Sequence, residues 1–194
     1  MRDMIKPTLS LFVICFVTAF CLAFVNNMTK EPIIQRMEMD AEENRKQVLS
    51  QAESFEKLEG WEAKDESGII REVYAAYIGE ELAGYVFSVA PKGFGGEIAV
   101  TVGVDSEHSV SGVRIGDNQE TPGLGSKAAD EKFTEQYIGK DISKEIKIVK
   151  RPASTDDEVQ AVSGATISTR AVTNAVQVSA ELGGKLLENG GGSK

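Results

Sequence analysis

The sequence is short of cysteine. Its 194 residues hold two, Cys15 and Cys21, and both lie inside an apolar N-terminal run. An iron–sulfur cluster usually takes four thiolates, so this chain does not carry one alone. Beyond the run there is no thiol for a disulfide framework or a cysteine nucleophile. Histidine is scarcer, with His108 the only one. A zinc site or a Ser-His-Asp triad would have to be built around that single imidazole, and a lone His is most often a solvated side chain. Positive charge is short as well. Lys and Arg number 21 against 30 Asp and Glu, for a net charge of −9 and a pI near 4.8. No basic surface is available for a phosphate backbone, so nucleic acid is not expected as a partner.

What the chain does have is one long uncharged stretch. From Pro7 to Thr29 there are 23 residues without a charge. At about 1.5 Å per residue in a helix, this reaches across a hydrocarbon core of roughly 30 Å. A cleaved signal peptide also follows basic residues such as Arg2 and Lys6. Here the run is long, and its end, Phe24-Val-Asn-Asn-Met-Thr29, has no small-x-small cleavage site, so a retained anchor is expected. The leader before the run carries Arg2 and Lys6 against Asp3, whereas the part after it holds 19 basic and 29 acidic residues. The positive-inside tendency then keeps residues 1–6 in the cytoplasm and sends the acidic part outside.

Residues 30–59 are charged, with Ile34, Met37, Ala41, Val48, Ala52 and Phe55 at mostly helical spacing, which predicts a helical stalk or packing helix over 30–60. Strand-like runs follow at Arg71–Ile78, Leu82–Val89, Ile98–Val104 and Val110–Ile115, joined by short turns that favour antiparallel hairpins. Ser126–Tyr137 is predicted helical, Glu145–Val149 a strand, and Ser168–Leu187 a helix with Ala171, Ala175, Val178 and Leu182 on one face. Strands followed by helices predict an α+β domain, a largely antiparallel sheet with flanking helices, behind a single N-terminal transmembrane helix. The domain is expected at 61–189 and a flexible tail at 190–194.

Three segments hold chemistry. The first, Val162-Ser163-Gly164-Ala165-Thr166-Ile167-Ser168-Thr169, precedes the last helix. It can be a simple N-cap, with Thr166 or Ser168 accepting backbone N–H groups. It can equally be an anion site, where Gly164 admits a close approach, free N–H groups favour a phosphate, and a threonine hydroxyl is open to esterification. The second, Glu120-Thr121-Pro122-Gly123-Leu124-Gly125, is either a capped turn or a rigid loop whose Leu124 lies on a flat ring. The third, Gly93-Phe94-Gly95-Gly96, is either a hairpin bend or a place where a ligand comes close.

Taken together, Ser163-Gly-Ala-Thr166, Glu120-Thr-Pro-Gly-Leu-Gly125 and Gly93-Phe-Gly-Gly96 behind one N-terminal span resemble the FMN-binding family. That family includes the G subunit of the Rnf ion-translocating electron-transport complex and the C subunit of the sodium-pumping quinone reductase, and the Glu-Thr-Pro-Gly-Leu-Gly loop favours the Rnf side. The resemblance implies one covalent FMN per chain, joined to Thr166 by a phosphoester that a separate flavin transferase installs. It implies an electron-relay subunit of a complex that couples ferredoxin and NAD redox chemistry to Na⁺ or H⁺ translocation, with other membrane and peripheral subunits as partners. Ser163, Gly164 and Ala165 then shape the attachment turn, Ser168 caps the helix or touches the phosphate, and Glu120, Thr121, Leu124 and Gly125 face the flavin. No metal and no catalytic acid or base is implied. Two rivals are a stand-alone extracytoplasmic flavin-dependent reductase and a non-enzymatic anchored binding module. The family's motif often carries an acidic residue six positions before the threonine. That place holds Gln160 here, with Asp156, Asp157 and Glu158 a little upstream.

Overall fold

The computed structural model describes residues 2–188. The tail expected at 190–194 lies outside them. The chain divides into two units, Met1–Glu43 and Asn44–Lys194. Nearly all of the first belongs to helix α1, Arg2–Val48. Its uncharged stretch presents Leu11, Phe12, Phe16, Phe20 and Leu22 to the outside, each at least 60% exposed. Such a surface is stable in water only if something apolar covers it, and by length and composition this helix can cross a membrane.

The second unit is an antiparallel five-stranded meander in the order β1 (Ser54–Lys57), β2 (Ile70–Ile78), β3 (Glu81–Val89), β4 (Ile98–Asp105), β5 (Val110–Asn118). Alternation along β3 shows why it forms. Tyr85, Phe87 and Val89 turn to one face and are at most 1% exposed. There they meet Val172, Ala175, Val176 and Ala180 of helix α3, Thr166–Glu188. Val86, from the opposite face of β3, packs with Val48, Leu49 and Ala76 in a second, smaller cluster. Ser111 Oγ closes this side by donating to the Val48 carbonyl at 2.7 Å.

Two expectations need correction. The helix drawn over Ser126–Tyr137 is broken into a 3-10 turn at Gly125–Ala129, a single α turn α2 at Glu131–Thr134, and another 3-10 turn at Glu135–Tyr137. The break falls at Asp130, whose backbone is extended (φ −66°, ψ 136°). Phe133 and Tyr137 still face the core, edge to face at 5.5 Å between ring centroids. The second correction concerns residues 30–60. The chain leaves the helix after Val48 and adds β1 to the edge of the sheet. The strand expected at Glu145–Val149 is present as β6 (Lys147–Val149) and pairs parallel with β7 (Glu158–Gln160), which the hydropathy pattern does not reveal.

Candidate functional site

Three loops at one end of the sheet meet around a cavity of about 340 Å³. That size lies within the range of about 300–1,000 Å³ common for small-ligand sites. The β3–β4 hairpin contributes Phe94, the loop after β5 contributes Glu120, Thr121, Leu124 and Gly125, and the start of α3 contributes residues 164–168. All three segments singled out in the sequence therefore share one site. Of the nine candidate residues, eight line this cavity. The ninth, Ser163, lies on an adjoining groove of about 380 Å³ with Lys150, Gln160, Gly164 and Thr166.

Local chemistry sets each loop. The hairpin tip is closed by the Gly93 N–H on the Gly96 carbonyl at 2.7 Å. After β5, the Thr121 carbonyl accepts from the N–H groups of Leu124 (3.1 Å) and Ser126 (3.3 Å). Thr121 thus shapes the turn through its backbone. Ahead of α3, Gly164 takes a left-handed backbone (φ 79°) that a side chain rarely adopts. The Ala165 N–H then bonds the Val162 carbonyl at 3.0 Å, and the Ala165 carbonyl accepts the first helical bond, from Thr169, at 3.0 Å.

The hydroxyls at the helix start are engaged unequally. Among the described residues, neither Thr166 nor Ser168 caps a backbone N–H. The turn is braced by Thr169, a residue the motif does not single out. Its Oγ1 accepts from Val162 N–H at 3.1 Å and donates to the Ala165 carbonyl at 3.0 Å. Further along α3, Thr173 Oγ1 donates to the Thr169 carbonyl at 2.9 Å and receives the Tyr137 hydroxyl at 2.8 Å. Burial pushes the Tyr137 phenol upward in pKa, which keeps it a donor. Ser168 Oγ donates to Glu120 Oε2 at 2.5 Å. The Thr166 hydroxyl has no hydrogen bond among the described residues. It is half-buried at the first position of α3, where the leading N–H groups of a helix have no intrahelical acceptor.

The cavity rim is apolar. Phe94 is 70% exposed, Ile167 51% and Leu124 46%. Phe94 and Ile167 are not candidates from the sequence. Exposed apolar side chains gathered around an unengaged hydroxyl and a helix start are what a ligand with a flat aromatic ring and a phosphate needs, and FMN is such a ligand.

The acidic residues upstream of Gln160 are engaged elsewhere. Glu158 is held by Arg151 through two bonds, Nη1 to Oε2 at 2.8 Å and Nη2 to Oε1 at 2.6 Å, and also by Ser154 N–H at 2.9 Å. The Arg151 guanidinium holds the Glu158 carboxyl down at about 2, and Lys147, with Thr155, does the same for Asp157. Lys140, its pKa lowered by burial, donates to the carbonyls of Asp156 and Glu158. This loop is a braced structural element leading into β7. Gln160 pairs through its backbone with the Gln136 amide (N–H to Oε1, 2.8 Å). Among the described residues, no group of three or more His, Cys, Asp and Glu is placed to hold a metal.

Fold and cavity together define a flavin-binding module, and residues 93–181 match the FMN-binding domain. Over 193 aligned residues, 91% of this chain and 90% of the relative, the sequence is 34% identical to the G subunit of the Na⁺-translocating ferredoxin:NAD⁺ oxidoreductase complex of Acetobacterium woodii. It is 30% identical over 174 residues to the G subunit of the proton-translocating ferredoxin:NAD⁺ oxidoreductase complex of Clostridium ljungdahlii, covering 90% of this chain and 88% of that one. The fold is also that of NqrC from Shewanella oneidensis, with a TM-score of 0.51 at 19% identity over 73% of this chain and 72% of that chain. The chain belongs to the family of Rnf complex G subunits.

Proposed function

We propose that this chain is the membrane-anchored flavoprotein subunit of an Rnf-type complex, carrying one FMN esterified to Thr166 and relaying electrons within the assembly. The observation that carries this reading is the unengaged Thr166 hydroxyl on the wall of an open, apolar-rimmed cavity. The ester would form when Thr166 Oγ1, losing its proton, takes the place of the leaving group on the phosphorus of an activated flavin nucleotide supplied by the transferase, and the leaving group departs with the bond that held it. The N–H groups of the first turn of α3 stabilise the phosphate charge.

FMN, when bound, supplies the electron chemistry. The chain binds and orients it. Phe94, Leu124 and Ile167 offer apolar surface to the ring, and Thr121 and Gly125 fix the loop that carries Leu124. A cavity open on one side with few polar contacts holds a ligand weakly, and a covalent bond removes dissociation. A separate flavin transferase makes that bond.

Residues 7–29 span the membrane once, residues 1–6 stay in the cytoplasm, and the domain works outside, joined to its partners' membrane by the anchor. The relatives named above belong to complexes that translocate Na⁺ or protons while moving electrons between ferredoxin and NAD⁺. The same coupling is proposed for the complex containing this chain, with its other membrane and peripheral subunits as partners.

The test is an intact mass of the purified full-length chain co-expressed with an active flavin transferase. The expected result is one FMN adduct per chain that survives denaturation. A chain that stays at its unmodified mass would return Thr166 to a plain helix start and the domain to a non-covalent binding module.

A further inference from the structure

We infer that the buried Glu120 carboxylate, which lines the cavity and ties the hairpin tip to the first turn of α3, sets the flavin's potential as well as its position. The inference rests on the flavin reading above. Glu120 is 7% exposed. Its Oε1 accepts from Gly95 N–H at 2.9 Å and its Oε2 from Ser168 Oγ at 2.5 Å. Both carboxylate oxygens are acceptors, one from a backbone N–H and one from a hydroxyl. Among the described residues no Lys or Arg pairs with it.

The space around the carboxylate is made by missing side chains. A Cβ on Gly93 would stand 2.3 Å from Glu120 Oε1, and one on Gly125 would stand 2.2 Å from Oε2 and 2.7 Å from Ser168 Oγ. Glycines from two of the three motifs thus house a side chain of this chain. Glu120 is then a positioning residue first, since it holds both walls of the cavity at fixed spacing.

It also places a negative charge beside the bound cofactor with two hydrogen bonds and no counter-ion. Each electron that arrives adds one negative charge to the cavity and removes it on leaving for the acceptor. A fixed anion in a partly dry site opposes that arrival and lowers the potential. The Ser168 hydroxyl turns its positive end to the carboxylate and partly offsets it.

Two substitutions separate charge from scaffold in the flavin-loaded full-length chain in detergent at pH 8. Glu120→Gln keeps the shape: its carbonyl can accept from Gly95 N–H while Ser168 Oγ turns to accept from its amide. The midpoint potential should move positive with the FMN adduct intact. Ser168→Ala leaves the carboxylate with one donor fewer, and the potential should move negative. Opposite signs would not arise from loosened packing. In the flavin-free Thr166→Ala background, the Gly95 amide should keep its protection from hydrogen exchange with Glu120→Gln and lose it with Glu120→Ala. An unchanged potential in Glu120→Gln, or a shift of the same sign in both variants, overturns the electrostatic role. If Glu120→Gln does not fold, Ser168→Ala is read together with Gly95 exchange: a negative shift with the Gly95 amide still protected supports the electrostatic role, and any other outcome overturns it. Wild-type chain without flavin ends the attachment reading instead, and Gly95 exchange then decides the positioning role by itself: protection equal in all variants overturns it.

Discussion

Replacing Thr166 by Ala discriminates most sharply between an attachment residue and a helix cap. A capping threonine loses about 0.5–2 kcal/mol on this change. Thr166 makes no such bond, so other terms decide. Losing a half-buried methyl costs up to about 0.8 kcal/mol, and alanine's better helix propensity returns up to about 0.7 kcal/mol. The net change is within about 0.5 kcal/mol, or less than about 2 °C in Tm for a domain of this size. The assay is in-gel flavin fluorescence under denaturing conditions after co-expression with the transferase, beside a thermal melt. Thr166→Ala should melt with wild type and show no fluorescence. Ser163→Ala is the matched control, because Ser163 is exposed in the same turn and should keep the flavin. Thr169→Ala is unsuitable as a control. It removes the acceptor for the Val162 N–H at a fully buried position, which costs about 1–3 kcal/mol. A covalent flavin remaining on Thr166→Ala, or a loss of stability above about 1 kcal/mol, refutes the reasoning.

Other changes probe separate parts of the molecule. The folded Glu158 carboxyl sits at about 2 against an ordinary value of 4.5, so its stabilisation is present above about pH 4.5 and fades as pH falls toward 2. The Tm gap between wild type and Arg151→Ala should accordingly be constant from pH 5 to 8, narrow steadily below about pH 4.5 and be largely gone by pH 2.5. A gap that persists at pH 2.5 would mean that Arg151 acts through something other than its ion pair. Leu124→Ala should leave FMN attached while changing its visible spectrum or potential, at a stability cost under about 1 kcal/mol, because the side chain is already half exposed. Loss of attachment in a folded variant would assign Leu124 to transferase recognition instead. Ser143→Cys should react in intact cells with a membrane-impermeant thiol reagent, and labelling only after lysis would place the domain in the cytoplasm.

Much of the architecture is legible from alternation alone. Strands β2 to β5 carry apolar residues every second position with short turns between them, and α3 carries its stripe at helical spacing. Strand β1 escapes because Ser54–Lys57 has one apolar side chain, Phe55, which also fits the helical spacing before it, and edge strands need only one buried face. The 126–137 break escapes because Ala129, Phe133 and Tyr137 keep a spacing of four whether the backbone forms one helix or three short turns. At the site, the motifs give the right segments but not the work of each residue. The Ser163-Gly-Ala-Thr166 motif singles out Thr166, but only the fold shows that the nearby Thr169 hydroxyl is engaged in bracing the turn. Glu120, expected on the flavin, is held by Gly95 and Ser168 at the wall.

The two hydrogen bonds of Glu120 join residues 25 and 48 positions apart in the chain. They also set an order of events during biosynthesis. The hairpin tip and the loop after β5 leave the ribosome well before residue 168, but no partly folded chain can complete the cavity until α3 has docked on the sheet. Helix α3 is the last helix described, and Thr166 is its first residue. With the flavin attached at Thr166 as proposed, it can be seated correctly only after nearly the whole domain has been made and folded. A chain arrested, truncated or misfolded at its C-terminal helix offers no finished site and becomes no electron carrier. Cofactor loading in this protein doubles as an inspection of the completed fold.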